Sequence, residues 1–180
     1  GQLGAVMKES AQAAMSWVKS HIEALALKPD LFEAVDVHLH VPQGGIRKDG
    51  PSAGTAILVA IVSLITGNRV RADVAMTGEI TLRGEVLAIG GLKEKILAAH
   101  RGGIKTIIIP DENQKDLVEI DASILKSLEI RPCKNIDQVL QIALSKPVSG
   151  LCDTPCTTKN VGARLTRPSS RRGTTQAKGN

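Results

Sequence analysis

From Ala5 to Ala26 the apolar side chains Val6, Ala13, Ala14, Trp17, Val18, Ile22 and Leu25 recur every three or four positions. That spacing gathers them on one face of a helix of about six turns, which the stretch LALKPD ends. Residues 34–41, AVDVHLHV, alternate strictly, with Val35, Val37, Leu39 and Val41 on one side and Asp36, His38 and His40 on the other. A period of two predicts a half-buried strand. PQGGIRKDGP then reads as a loop from its glycines and prolines. SAGTAILVAIVSLITG is almost wholly apolar and too long for a strand, so it predicts a buried helix beginning at or near Ser52.

RADVAMTGEITLRGEVLAIGG breaks into two or three short strands at its glycines, and LKEKILAAHRGG is a short helix with a glycine pair at each end. KTIIIP predicts a buried strand. Helical stretches follow at about 111–118 and 122–128, then a strand at EIRPCK and a last helix at NIDQVLQIALSK, after which PVSG closes the ordered region. Strands and helices mix irregularly instead of alternating one for one. The pattern therefore predicts one α+β domain of mixed short sheets with flanking helices, not a doubly wound sheet.

Charge adds a boundary. The net charge of +5 suits a nucleic-acid binder, but residues 151–180 hold six basic residues against Asp153 alone, and the first 150 balance 17 bases with 17 acids. This Thr-, Ser-, Gly- and Arg-rich end has no apolar periodicity and reads as a disordered tail, the one place a nucleic acid could be held. Only Trp17 and Phe32 are aromatic, which leaves nothing for a base-stacking platform. No run approaches the roughly 18 apolar residues of a membrane span, and the start of the chain lacks the charge-then-apolar order of a secretory signal. Cys133, Cys152 and Cys156 form no disulfide framework or zinc pattern. The expectation is a protein of a reducing compartment, the cytoplasm.

Candidate chemistry centres on KDGPSAG, residues 48–54, in which GPSAG fits G-x-S-x-G. Such a turn exposes a serine oxygen beside backbone N–H groups able to hold an oxyanion, and a helix starting there adds free N–H groups and a positive dipole end. The α/β-hydrolase arrangement does not fit. It needs an acid and a histidine after the serine, whereas only His100 follows, and the preceding strand ends about ten residues too early. His38 and His40 precede the serine, and a solvated strand face competes with a catalytic role for them. A lysine serves as base where its ammonium gives up its proton near neutral pH, as burial among apolar groups promotes. In LKEKILAAH, helix geometry sets Lys95 beside the face of Leu92, Ile96 and Ala99, and Lys93 farther round. Two S-x-x-K matches, SWVK and SILK, lie within amphipathic helices without companion motifs and are assigned to packing. No phosphate-loop order occurs.

The stretches LGAVMKESAQAA, DVHLHVP, KDGPSAG, DVAMTGEITLRGEVLAIGGLKEKILAAHRGG and IIIPDEN resemble the proteolytic domain of the ATP-dependent Lon protease family, bacterial type. The likeness covers about residues 1–146 and leaves 147–180 as the basic tail. It implies the Lon-type α+β fold, a six-membered homo-oligomeric ring, and a serine endopeptidase of protein quality control acting on unfolded proteins or peptides. It also implies Ser52 as nucleophile, Lys95 as base, Thr77 hydrogen-bonding that dyad, and Asp49 in a loop that opens or occludes the site. Glu79, His38 and His40 match other polar positions nearby. The domain itself would need no cofactor; ATP and Mg²⁺ belong to an ATPase part expected to lie outside this chain. Two rivals stand beside this reading: a catalytically silent ring-forming module, and nucleic-acid binding through the tail.

Overall fold

In the computed structural model, which describes residues 1–148, 150 and 151, a three-stranded parallel sheet is covered on both faces. Its strands are β1 (Val74–Met76), β4 (Thr106–Pro110) and β5 (Glu129–Cys133), in the order β1-β4-β5. Strand β4 is buried throughout, as a central parallel strand must be. Alternation along it serves both sides: Ile108 joins one hydrophobic cluster, Ile107 and Ile109 the other.

The first cluster packs α1 (Ala5–Ser20), α3 (Gly54–Thr66) and α6 (Ile136–Ala143) against the sheet. Trp17 and Val18 of α1, Leu58 and Val62 of α3, and Val139 and Leu140 of α6 are among its fully buried members. In α6 the buried residues Ile136, Val139, Leu140 and Ala143 follow the helical period, and the Asn135 side chain caps the start by accepting the Gln138 N–H at 3.0 Å. Val148 and Leu151 also pack here. The second cluster lies under α4 (Leu92–Arg101), a 3₁₀ helix (Asp111–Glu119) and α5 (Ala122–Lys126). A short antiparallel hairpin, β2 (Glu79–Ile80) with β3 (Val86–Leu87), stands apart from the sheet, and α2 is a single turn at Leu31–Ala34. The α+β class holds, with helices and short sheets where the pattern places most of them.

Three elements differ from the sequence reading. Helix α1 ends at Ser20, not Ala26, because the Trp17 carbonyl is engaged by the Ser20 hydroxyl at 2.8 Å and approached by His21 Nδ1 at 2.8 Å. The His21 N–H turns to Val18 instead, and side-chain competition for a helical carbonyl stops the ladder. Residues 36–41 keep their alternation, Val37, Leu39 and Val41 half-buried with both histidines exposed, but Val35 is exposed and the segment forms no strand. No neighbouring strand lies beside them among the described residues, so the extended segment has no ladder to join. Residues 111–119 are helical but of the tighter 3₁₀ kind. Most of the proposed tail, with Cys152 and Cys156, lies outside the described residues; Cys133 is buried, its thiol 3.8 Å from the Arg131 carbonyl.

Two glycines separate backbone conformation from close packing. Gly67, which ends α3, has φ +66° and open space around its Cα, whereas Gly84 in the hairpin loop has φ +82° and would place a Cβ 2.5 Å from Trp17 Nε1. Gly67→Ala should therefore cost only the left-handed strain, about 1–2 kcal/mol. Gly84→Ala adds overpacking worth a further ~1–3 kcal/mol. Denaturant unfolding of the two variants checks this; equal midpoints would contradict it.

Candidate active site

Ser52 stands two residues before α3, at the end of the loop that carries KDGP. Its main-chain carbonyl accepts two hydrogen bonds, from the Gly78 N–H at 3.1 Å and from the Thr77 hydroxyl at 3.0 Å. The Gly78 carbonyl in turn accepts the Thr55 N–H at 3.1 Å, so the start of α3 and the segment leaving β1 are laced together. Glycine is required on both sides of the lacing. A Cβ on Gly78 would come within 2.8 Å of Thr55 Cγ2 and Val86 Cγ1, and one on Gly54 within 3.2 Å of the Ile80 nitrogen. The second glycine of GPSAG and the glycine of MTGE thus let two backbones approach.

Lys95 arrives from the other face of the sheet. It lies in the first turns of α4, where the buried Leu92 and Ile96 dock the helix on the second cluster. Gly91 precedes the helix in the left-handed conformation, φ +66°. Lys95 Nζ donates to the Gly90 carbonyl at 2.8 Å. Ser52, Thr77 and Lys95 line one cavity of about 280 Å³, closed mainly by Ala53, Ala56, Ala75, Met76, Ile96 and Ala99. The run of alanines from three different elements leaves this space empty. Small residues on α3, β1 and α4 keep the facing helices from filling the sheet edge.

Of the residues singled out in the sequence, Ser52, Lys95 and Thr77 meet in this cavity. The Thr77 hydroxyl is directed at the Ser52 carbonyl, not at Lys95. Glu79 faces a separate groove, lined with Pro51, α1 and the hairpin. His38 and His40 are exposed on the extended segment, His40 Nδ1 lying 3.3 Å from the N-terminal amine. Asp49 turns away from the cavity to the start of α1, where it accepts the Met7 N–H at 3.1 Å. Sequence reasoning missed the Gly90 carbonyl as the partner of Lys95; the glycine pair reads there only as helix punctuation. Among the described residues no cluster of three His, Cys, Asp or Glu side chains could hold a metal. No helix among them is long and apolar enough to cross a membrane.

Residues 1–146 match the family model of the Lon protease (S16) C-terminal proteolytic domain. The chain belongs to that family. It is 59% identical over 151 residues to the Lon protease of Escherichia coli (strain K12), covering 84% of this chain and 19% of that protein. With the Lon protease of Azospirillum brasilense it shares 60% over 148 residues, 82% of this chain and 18% of the relative. With Lon protease 1 of Hydrogenovibrio crunogenus the figure is 62% over 144 residues, 80% of this chain and 18% of the relative. The chain thus spans about a fifth of the length of these curated relatives. Within this Lon-type domain the serine of KDGPSAG and the second lysine of GGLKEK border the same cavity.

Two measurements follow from the geometry. Thr77→Val, similar in shape, removes one of two donors to the Ser52 carbonyl and should cost about 0.5–1.5 kcal/mol, with Thr77→Ser restoring most of it. Unfolding midpoints decide. The Asp49 carboxyl is held below its ordinary value of 3.8, first by the Gly50 N–H, then by the Met7 N–H, with help from Arg47. A depressed folded value means that the contact is fully stabilising above 3.8 and is lost as pH falls through the folded value. The exchange protection of the Met7 amide should hold steady from about pH 7 to about pH 5 and fall only below the ordinary carboxylate range. Loss of protection centred near pH ~6 would contradict it.

Proposed function

We propose that this chain is a serine endopeptidase in which Ser52 is the nucleophile and Lys95 the general base. The observation that carries the reading is that these two side chains, brought by helices on opposite faces of the sheet, border one cavity in a domain of a proteolytic family. In this mechanism the neutral Lys95 amine takes the Ser52 proton as Oγ attacks the peptide carbonyl. The tetrahedral oxyanion is held by backbone N–H groups, and the Ser52 and Ala53 N–H groups are given no acceptor by the described residues. Lys95 then protonates the leaving amine, the C–N bond breaks, and water repeats the attack on the acyl-enzyme with the same base.

To reach Oγ, the Lys95 ammonium or amine must exchange its Gly90 carbonyl for the Ser52 hydroxyl. The four-carbon stem is flexible, and both residues border the cavity. Thr77 acts one step removed, by fixing the main chain of Ser52 through its carbonyl. The resemblance supports unfolded or damaged polypeptides as substrates, a homohexameric ring, and a cytoplasmic setting in protein quality control. ATP-driven unfolding would come from parts of the longer relatives that this chain does not match. A silent, ring-forming module is the alternative, and labelling separates the two.

Ser52→Ala and Lys95→Ala should each lower cleavage of an unstructured polypeptide by at least about 100-fold while circular dichroism and unfolding midpoints stay near those of the parent. A fluorophosphonate should add mass to Ser52 in the parent. Substantial cleavage by either variant, or no labelling of folded parent protein, overturns the assignment.

A further inference from the structure

Helix α1 begins without a side-chain cap of its own. Its N-cap residue is Gly4, and the first N–H groups of any helix have no intrahelical partner. The missing acceptor comes from 42 residues away: Asp49 Oδ1 takes the Met7 N–H at 3.1 Å and the N–H of its own neighbour Gly50 at 2.9 Å. The carboxylate sits at the positive end of the helix, where negative charge is favoured. Around it the two backbones are joined, Gly4 N–H to the Lys48 carbonyl at 2.7 Å and Lys48 N–H to the Gln2 carbonyl at 3.1 Å. Lys48 also closes its own loop, Nζ donating to the Gln43 and Ile46 carbonyls at 2.7 and 2.9 Å.

Two glycines make the fit possible. Gly4 has φ −70°, open to any residue, yet a Cβ there would overlap the Asp49 carboxylate. Gly50 has φ +113°, a conformation that glycine alone takes readily. Ser52 follows two residues later. The Arg47 pair at 3.9 Å is exposed and adds little.

We propose that Asp49 is a positioning residue: by capping α1 across the chain it fixes the loop that presents Ser52, so that the start of α1 and the nucleophile move as one unit. Asp49 borders neither Lys95 nor the cavity and acts through the backbone, not through its charge on the reacting atoms. The inference rests on the reading of Ser52 as nucleophile.

The test compares the 180-residue chain with Asp49→Asn, Asp49→Ala, Gly4→Ala and the Gly4→Ala/Asp49→Ala double variant. Readouts are kcat and KM for an unstructured peptide, the rate of Ser52 acylation by a fluorophosphonate, and amide exchange at Met7 and Gly50. Asp49→Ala and Gly4→Ala should each lower kcat and the acylation rate by roughly tenfold, with KM within about twofold, and speed exchange at both amides. Asp49→Asn keeps the accepting oxygen and should retain at least about a third of the parental kcat. The double variant should be no slower than either single one, because both remove the same contact. The proposal is overturned if Asp49→Asn is as impaired as Asp49→Ala, if Gly4→Ala keeps parental kcat, or if the losses multiply. A parent that neither cleaves nor acylates at Ser52 sinks the functional reading instead, and unchanged Met7 exchange in a folded Asp49→Ala variant sinks the cap by itself.

Discussion

The Ser52 main-chain carbonyl is where the two halves of the site are joined. A carbonyl just ahead of a helix would ordinarily be taken up by the helix or by water. Here it receives the Gly78 N–H and the Thr77 hydroxyl, both from the segment that leaves β1. Because Thr77 also donates its own N–H to the Ile108 carbonyl of β4 at 3.1 Å, the serine is referenced to the central strand through one intermediate residue. Ser52 is half-buried, so moving it costs its carbonyl two hydrogen bonds that water replaces only in part.

That reference to β4 is also what lets two helices on opposite faces of a sheet share a site. Helix α3 belongs to one hydrophobic cluster and α4 to the other, and the strand between them contributes to both. The helices can approach each other only past the outer strand of the sheet, and β1 is that strand. Alanine at positions 53, 56, 75 and 99 prevents their side chains from closing the gap. A larger residue at any of these positions would gain burial worth roughly 1.5–3 kcal/mol for a leucine-sized side chain and narrow the cavity. The domain therefore leaves hydrophobic stabilisation unused at the place where chemistry needs room.

Much of this was legible along the chain because it depends on local period. The apolar run after Ser52, the strand TIIIP and the spacing Ile136, Val139, Leu140, Ala143 each report burial directly, and the wheel of LKEKILAAH puts Lys95 beside the docked face. What was not legible depends on partners far away in sequence. Alternation in residues 37–41 shows which side chains are half-buried but not whether a neighbouring strand exists to pair with. The end of α1 depends on a competition between Ser20 and His21 for the Trp17 carbonyl, which no periodic pattern encodes. Thr77, Asp49 and Lys95 all find backbone partners, and a backbone carbonyl or N–H has no letter of its own.

The same point explains why Asp49 could be marked in the sequence yet not understood there. The resemblance places it in a loop that opens or occludes the site, which says nothing of the groups its carboxylate meets. Its Oδ1 accepts two backbone N–H groups, and a carboxylate so engaged is poorly placed to act elsewhere without abandoning a helix start. Any motion that brought Asp49 toward the cavity would uncap α1, free Gly4 from Lys48 and loosen the loop under Ser52 in one step. Displacement of Asp49 is therefore coupled to the first turn of α1 by the wiring of a few hydrogen bonds, and a shift of that turn has a short path to Ser52.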